Sequence, residues 1–371
     1  MFQVFIEQEG YCLLTTDRIL FAGDFSGLSL FLSRGVADCG IDSILYSNGD
    51  GWKGIPAPNP LFKTSNSLII RSLNQLAGAK ALFGDLRSSD TLVLATEFLF
   101  SRWIDAVALQ ALMKKARRTI LLHAGCSHGF HELNQEKALC LNCKRYDLKS
   151  AKCVFSNSRW PGLSSVLRNI DLIVPFTDIY VASAAFYGVE SDRISQPLHF
   201  PVDFSYVSSL VYDLAPTRGV VHGQNRPGFK GTSYLHGLME TRPTLSSMIE
   251  FLPRMSFTDF IRVLGASDIV IDQLFANGYG MTGALALSIG TSVAFGYLSP
   301  EPAICFGGIG CLPVPILGDP NQDAAVIEES LQSCLSQPPD RQVIIESARK
   351  RHDHRMIATD FLNRLAECIP A

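Results

Sequence analysis

Charge is scarce in this sequence. Only 18% of its 371 residues are charged, and 32 Lys and Arg stand against 35 Asp and Glu, a formal balance of −3. Without a positive excess there is no global field to draw in nucleic acid, so a nucleic-acid partner is not expected. Long apolar runs are also lacking. Thr91–Phe100 and Ile269–Phe275 are broken by polar residues and fall well short of the roughly 20 residues a spanning helix needs. No basic-then-apolar leader opens the chain, which passes from Met1-Phe2-Gln3 to Glu7 and Glu9. The expectation is a soluble, cytoplasmic protein. Short-period repeats and low-complexity tracts are absent as well, which excludes solenoids and disordered arrays.

Hydrophobicity is plentiful, at 47% of residues. At roughly 100–200 residues per domain the length predicts two domains, each with its own core. Ten cysteines spread over so long a chain read as reduced thiols. Cys12, Cys39, Cys305, Cys334 and Cys368 sit among apolar neighbours and are expected to be small buried hydrophobes.

Strand-length apolar runs alternate with amphipathic stretches. Candidate strands are Ile19–Ala22, Ser43–Tyr46, Thr91–Ala95, Thr119–His123 and Ile170–Val174, with helical segments Gly27–Cys39, Ser101–Ala116 and Ile179–Tyr187 beside them. This is the βαβ pattern of a doubly wound parallel sheet. It restarts after a connector near residues 203–217, with strands Gly219–His222, Met248–Phe251, Asp268–Ile271, Ser292–Phe295 and Pro313–Leu317, and helices Thr232–Glu240, Phe257–Gly265, Thr282–Ile289 and Asp323–Leu335. The class is α/β, two Rossmann-like halves facing a central cleft, with any ligand at the carboxyl edges of the strands. The boundaries expected are 1–205, 206–352 and a closing helix over 353–371 that crosses back onto the first half, its apolar face formed by Ile357, Phe361, Leu362 and Leu365.

Several clusters fall at those edges. Gly23-Asp24-Phe25-Ser26-Gly27 turns from a strand into a helix, where glycine lets backbone approach a ligand and the helix N-terminus offers N–H groups; a structural turn reads the same. Asn48-Gly49-Asp50-Gly51-Trp52-Lys53 suits acceptor binding or a solvated turn. His123, His128 and His131 with Cys126 crowd one strand end, placing His123 and His128 as candidates to orient a sugar or move a proton. Cys140-Leu141-Asn142-Cys143 with Cys153 and nearby His131 or Cys126 fits a zinc knuckle, reduced free thiols or a redox role, since no second CxxC accompanies it.

The strongest signal is Gly223-Gln224-Asn225-Arg226-Pro227-Gly228-Phe229-Lys230-Gly231-Thr232. Arg226 and Lys230 on a glycine-bearing loop before a helix read as a diphosphate clamp, or as two solvated surface cations. Asn277-Gly278-Tyr279-Gly280-Met281-Thr282 brings a second helix N-terminus to the same edge. The basic run Lys114-Lys115-Ala116-Arg117-Arg118 reads either as a peripheral contact with anionic lipid at the inner face of a membrane or as a solvated helix end.

Taken together these motifs resemble the GT-B glycosyltransferases, in particular the large retaining group called group 1 or family 4, over nearly the whole length. His199-Phe200-Pro201-Val202-Asp203 resembles the interdomain Pro-x-Pro-x-Asp segment, Arg226 with Lys230-Gly231 resembles the donor-side cations, and Asn277–Val293 resembles the block that ends in Gly-x-Pro-Val. The resemblance implies transfer of a sugar from a nucleotide diphosphate sugar to a hydroxyl of a glycan, glycolipid or glycoprotein. It implies retention, no bound metal and no further cofactor. Arg226 and Lys230 would bind the diphosphate with Gly27, Asn277, Tyr279, Gly280, Met281 and Thr282, while Ser26, Asp50, Trp52 and Lys53 lie on the acceptor side. Two family glutamates are missing: Asn277 stands where one contacts the donor sugar, and Leu285 where one holds the ribose. Leucine accepts no hydrogen bond, which leaves Asp272 or Glu301 for the ribose, or makes the chain a catalytically silent GT-B subunit that binds or stabilises a partner.

Overall fold

The computed structural model describes residues 18–100, 102–125, 127–137, 163–211, 218–224, 230–297 and 307–367. Strands β1 (Ile19–Ala22), β2 (Ser43–Ser47), β3 (Asn59–Pro60), β4 (Thr91–Leu94), β5 (Arg118–His123) and β6 (Leu172–Pro175) form a parallel six-stranded sheet in the order β3-β2-β1-β4-β5-β6. β1 and β4 are buried along their whole length, as expected of parallel strands covered on both faces. Helices α1 (Leu28–Asp38), α2 (Leu68–Asp85), α3 (Arg102–Lys115), α4 (His128–Lys137), α5 (Leu163–Leu167), α6 (Asp178–Ala184) and α7 (Phe204–Ser209) accompany it.

The second sheet holds β7 (Arg218–Gly223), β8 (Ile249–Leu252), β9 (Ser267–Ile271), β10 (Ser292–Tyr297) and β11 (Cys311–Pro315), also parallel, in the order β11-β10-β9-β7-β8. Its helices are α8 (Thr232–Thr241), α9 (Pro243–Met248), α10 (Phe257–Gly265), α11 (Met281–Ser288) and α12 (Pro320–Ser336), followed by α13 (Arg341–His352) and α14 (His354–Glu367). In both sheets strand order reverses direction once, between β1 and β4 and between β7 and β9. That reversal opens a crevice at the carboxyl ends.

The chain crosses between the halves twice, at one place. Val202 of the connector and Asp353 form a parallel bridge; the Val202 N–H donates to the His352 carbonyl (2.7 Å) and the His354 N–H returns a bond to the Val202 carbonyl (3.1 Å). α14 then lies on α1, which is nearly all buried as a result. The approach is close because position 35 is glycine, where a Cβ would stand 2.2 Å from the His354 carbonyl oxygen. Cys334 is buried as expected, but Cys39 is exposed at the end of α1, beyond its buried stretch; Cys12, Cys305 and Cys368 lie outside the described residues. Among the described residues no helix is long and apolar enough to cross a membrane.

Candidate functional site

The carboxyl edges of the two sheets face each other across a cleft, the usual place for a ligand in doubly wound folds. The first half contributes Phe25 and Ser26 after β1, Lys53 and Ile55 after β2, Ala124 and Gly125 after β5, and Thr177 and Tyr180 after β6. The second contributes Lys230 after β7, Met255, Phe257 and Phe260 after β8, and Asp272, Gln273 and the 276–285 segment after β9.

Lys230 is the cation of the second wall. Its ammonium stands 2.9 Å from Asp272 Oδ1 and donates to Thr282 Oγ1 at 3.1 Å. Asp272 is fully buried, and its other oxygen accepts the N–H groups of Gly280 (2.7 Å) and Gly283 (3.2 Å). A carboxylate at a helix N-terminus satisfies orphan donors and complements the helix dipole. The N–H groups of Met281 and Thr282, next in that first turn, take no protein acceptor among the described residues. The site therefore offers a held ammonium and two oriented amides to an anion. Small residues make this possible: a Cβ at Gly280 would stand 2.1 Å from the Gln273 amide nitrogen.

Beneath Lys230, His222 is fully buried, with Nδ1 3.0 Å from the Ile271 carbonyl and Nε2 2.8 Å from Thr232 Oγ1. Burial, aided by the Lys230 charge, lowers its pKa to about 3. The ring is thus neutral, Nδ1–H donating to Ile271 and Nε2 accepting from Thr232.

The opposite wall is a smaller polar knot. Asp50 Oδ2 accepts the Ser26 N–H (3.0 Å) and pairs with the Lys53 ammonium, which also donates to Ser26 Oγ (2.8 Å). Ser26 (φ 58°), Asp50 (φ 54°) and Asn277 (φ 52°) are the three non-glycine residues with left-handed backbone among those described. Such conformations cost of order 1 kcal/mol and gather at ligand sites.

Asp24 lies behind this knot. Its Oδ1 accepts the N–H groups of Phe25 and Ser29 (both 2.8 Å), while Oδ2 is buried without a partner. Burial pushes its pKa up to about 6, with the backbone bond from Ser29 opposing and the Asp50 charge adding to the rise.

Of the residues singled out from sequence, Ser26, Lys53, Lys230, Tyr279, Gly280, Met281 and Thr282 line the cleft together. Gly27 caps α1 in a left-handed conformation, while Asn277 and Asp50, also left-handed, are not among the residues that line the cleft. His123 lies below the cleft, fully buried, its Nε2 2.7 Å from Ser183 Oγ and its pKa lowered to about 3 by burial. His128 opens α4, where its N–H bonds to Glu97 and its ring faces Tyr187. Arg226, Cys126, Cys140, Cys143, Cys153 and Glu301 lie outside the described residues, and so do the side chains of Trp52 and His131. Asp272 is committed to Lys230 and the α11 amides rather than standing free for a ribose.

The sequence reading missed the apolar part of the wall: Phe200, Met255, Phe257, Phe260 and Ile55. No residue type marks such positions as site rather than core. Asp24 falls within the Gly23–Gly27 cluster, but nothing in the sequence marks its carboxyl as buried behind the turn.

No protein-family model matches the sequence, and no curated protein matches it. Solved structures do. Anabaena HepE in complex with UDP-glucose is similar over 94% of this chain and 99% of its own, at 13% identity and a TM-score of 0.58. Sucrose-phosphate synthase from Thermosynechococcus elongatus is similar over 94% and 98%, at 12% identity and a TM-score of 0.56. A UDP-N-acetylglucosamine 2-epimerase is similar over 94% and 95%, at 12% identity and a TM-score of 0.51. The fold is GT-B: two Rossmann-like halves facing a cleft.

Proposed function

We propose that the protein is a glycosyltransferase that moves a sugar from a nucleotide diphosphate sugar to a hydroxyl on a glycan, glycolipid or glycoprotein, with retention. The observation that carries this reading is Lys230, held by Asp272 and Thr282 beside the free amides of α11 at the switch point of the second sheet. The UDP and UDP-glucose in the HepE structures support a diphosphate-bearing donor.

Negative charge grows on the leaving diphosphate as the glycosidic bond breaks. A cation and amides already fixed in place stabilise that charge without reorganising, which is where a site lowers a barrier most. Lys230 and Arg226 supply cations, and Met281 and Thr282 supply N–H groups, with Gly280 and Tyr279 shaping the turn. Ser26, Lys53 and Asp50 present the acceptor from the other wall, with Gly27 allowing close approach and Trp52 beside them. His123 and His128 support that wall. The apolar lining of Phe200, Phe257 and Phe260 excludes water that would hydrolyse the donor. In this reading residues 1–205 take the acceptor, 206–352 take the donor, and 353–371 tie the two together.

A second reading is a catalytically silent GT-B subunit that binds or stabilises a partner. Asp272 favours it, because a carboxylate already neutralises Lys230 and fills two α11 amides. Hydrolysis or transfer assays with a panel of nucleotide sugars separate the two, with calorimetry reading donor binding. Binding by the wild type that is lost in Arg226→Ala plus Lys230→Ala is expected; no binding by the wild type to any member would sink the enzyme.

A further inference from the structure

Helix α2 wears its apolar face outward. Its buried residues are Gln75, Gly78 and Leu82, whereas Ile69, Leu73 and Leu76 are 75%, 59% and 52% exposed, and Leu68, Ile70 and Phe83 are exposed too. Ile69, Leu73, Leu76 and Phe83 recur at helical spacing and form one stripe along the helix. α3, packed beside it, exposes Val107. Contiguous apolar surface of this kind marks an interaction site.

The charges around the stripe are of one sign. From Leu61 to Gly84 the sequence holds no acidic residue, and Asp85, which ends the helix, is paired with Arg18; Lys63 before the helix and Lys80, between Leu76 and Phe83, are exposed. At the far end Lys115 of α3 donates to the Phe83 carbonyl and stands 4.5 Å from the Phe83 ring centroid, with Lys114 exposed beside it. Arg117 and Arg118 turn away to a separate cavity that they share with Asp171 and Asp192, so the basic run of the sequence divides between two surfaces.

An apolar stripe flanked only by cations has the makeup of a helix lying in the plane of a membrane interface. We propose that α2 docks on an anionic lipid surface, the Ile69–Leu73–Leu76–Phe83 stripe entering the acyl boundary and Lys63, Lys80, Lys114 and Lys115 meeting headgroup phosphates. Each such cation raises affinity about fivefold at low salt. α2 follows the loop that carries Lys53 and Ile55 into the cleft, so docking sets the acceptor wall beside the lipid. Resting on the transferase reading, this names the acceptor class as a sugar hydroxyl on a lipid.

Sedimentation of the full chain with vesicles of phosphatidylcholine alone, or of phosphatidylcholine and phosphatidylglycerol in equal parts, tests the docking. The chain is expected to pellet with the anionic vesicles only, and less as salt rises. Ile69→Glu with Leu73→Glu and Leu76→Glu should weaken that binding at least tenfold without changing the melting temperature, because those side chains are exposed. Three results overturn the proposal: no pelleting of the wild type, equal pelleting of the triple variant, or a wild-type dimer in light scattering that the triple variant splits, which assigns the face to a second copy. Nucleotide calorimetry is independent of all of these, so failure of docking and failure of the transferase reading are told apart.

Discussion

Lys230 and Asp272 form a buried ion pair, 2.9 Å from Nζ to Oδ1, across the switch point of the second sheet. The same carboxylate holds the amides of Gly280 and Gly283. One buried anion thereby fixes both the cation and the helix end that face the cleft. The arrangement aims positive charge at a ligand without leaving a lone buried lysine, which burial would neutralise.

Removing one member of that pair exposes both roles. Lys230→Ala is expected to raise the dissociation constant for a nucleoside diphosphate at least tenfold, about 1.5–3 kcal/mol for a charge-assisted bond. It should also cost about 3 kcal/mol of stability in urea, because Asp272 stays buried without its cation. An unchanged dissociation constant in calorimetry would place the diphosphate elsewhere.

On the opposite wall, Asp50→Ala releases the Ser26 N–H and the Lys53 ammonium together. The expected result is a kcat/KM for acceptor lowered at least tenfold with donor affinity unchanged, since the hydrogen bonds and ion pairs among the described residues do not link the two walls. Steady-state kinetics with calorimetry on the same preparation reads both; a loss of donor binding would reassign Lys53 to the donor.

Asp24 sets a pH dependence. Its folded pKa of about 6 lies above the unfolded value near 3.8, so between those values the native state binds more protons. Stability from the neutral carboxyl is fully present below about pH 4 and is lost as pH rises through 6. Asp24→Asn keeps an oxygen for the Phe25 and Ser29 amides and removes the charge. It is expected to stabilise by about 1–2 kcal/mol at pH 7.5 and to match the wild type at pH 4. Urea unfolding at the two pH values checks it; an equal effect at both would show that charge burial is not the cause.

How far the sequence carried is clear element by element. Ile19–Ala22 is predicted and observed with the same bounds, because an unbroken apolar run before a glycine turn has few other solutions in an α/β chain. β3, two residues long, leaves no periodic signal. α2 is missed because its apolar residues face solvent, the reverse of the pattern that marks a helix on a core. Of the site, Lys230 and the Tyr279–Thr282 turn were legible as glycine-flanked helix starts. The pairing of Lys230 with Asp272 was not, since 42 residues separate them and only the order of β7 beside β9 brings them together.

Tyr279 connects the cleft to the crossing between halves. Its hydroxyl lies 2.9 Å from His352 Nε2, and His352 Nδ1 lies 2.9 Å from the Phe200 carbonyl. Burial lowers the histidine pKa to about 3, so the neutral ring donates to Phe200 and accepts from Tyr279. Tyr279→Phe leaves that nitrogen buried and unpaired, an expected cost of about 1–3 kcal/mol. A severalfold weaker nucleotide affinity should accompany it, because the 278–280 turn loses its anchor. A melting temperature within a degree of the wild type would show that the bond carries no weight.

On the transferase reading, Leu285 would set how a nucleotide is read. It lies four residues after Met281, and both line the cleft, which sets it about 6 Å further along the helix axis than the first-turn amides. On the same reading that is where a ribose would follow the diphosphate. Leu285 cannot accept from the ribose hydroxyls, and Asp272, the carboxylate among the described lining residues, is committed to Lys230 and two amides. Met255, Phe257 and Phe260 add apolar surface to the same wall. Recognition then rests on the diphosphate and on apolar contact, and neither distinguishes ribose from deoxyribose. UDP and dUDP are expected to bind within about threefold of each other, less than the ~1.4 kcal/mol of a tenfold difference. In Leu285→Glu a carboxylate reaches the hydroxyls, and UDP should gain at least tenfold over dUDP. A wild type that already prefers UDP tenfold would mean that a residue outside the described segments, such as Glu301, holds the ribose.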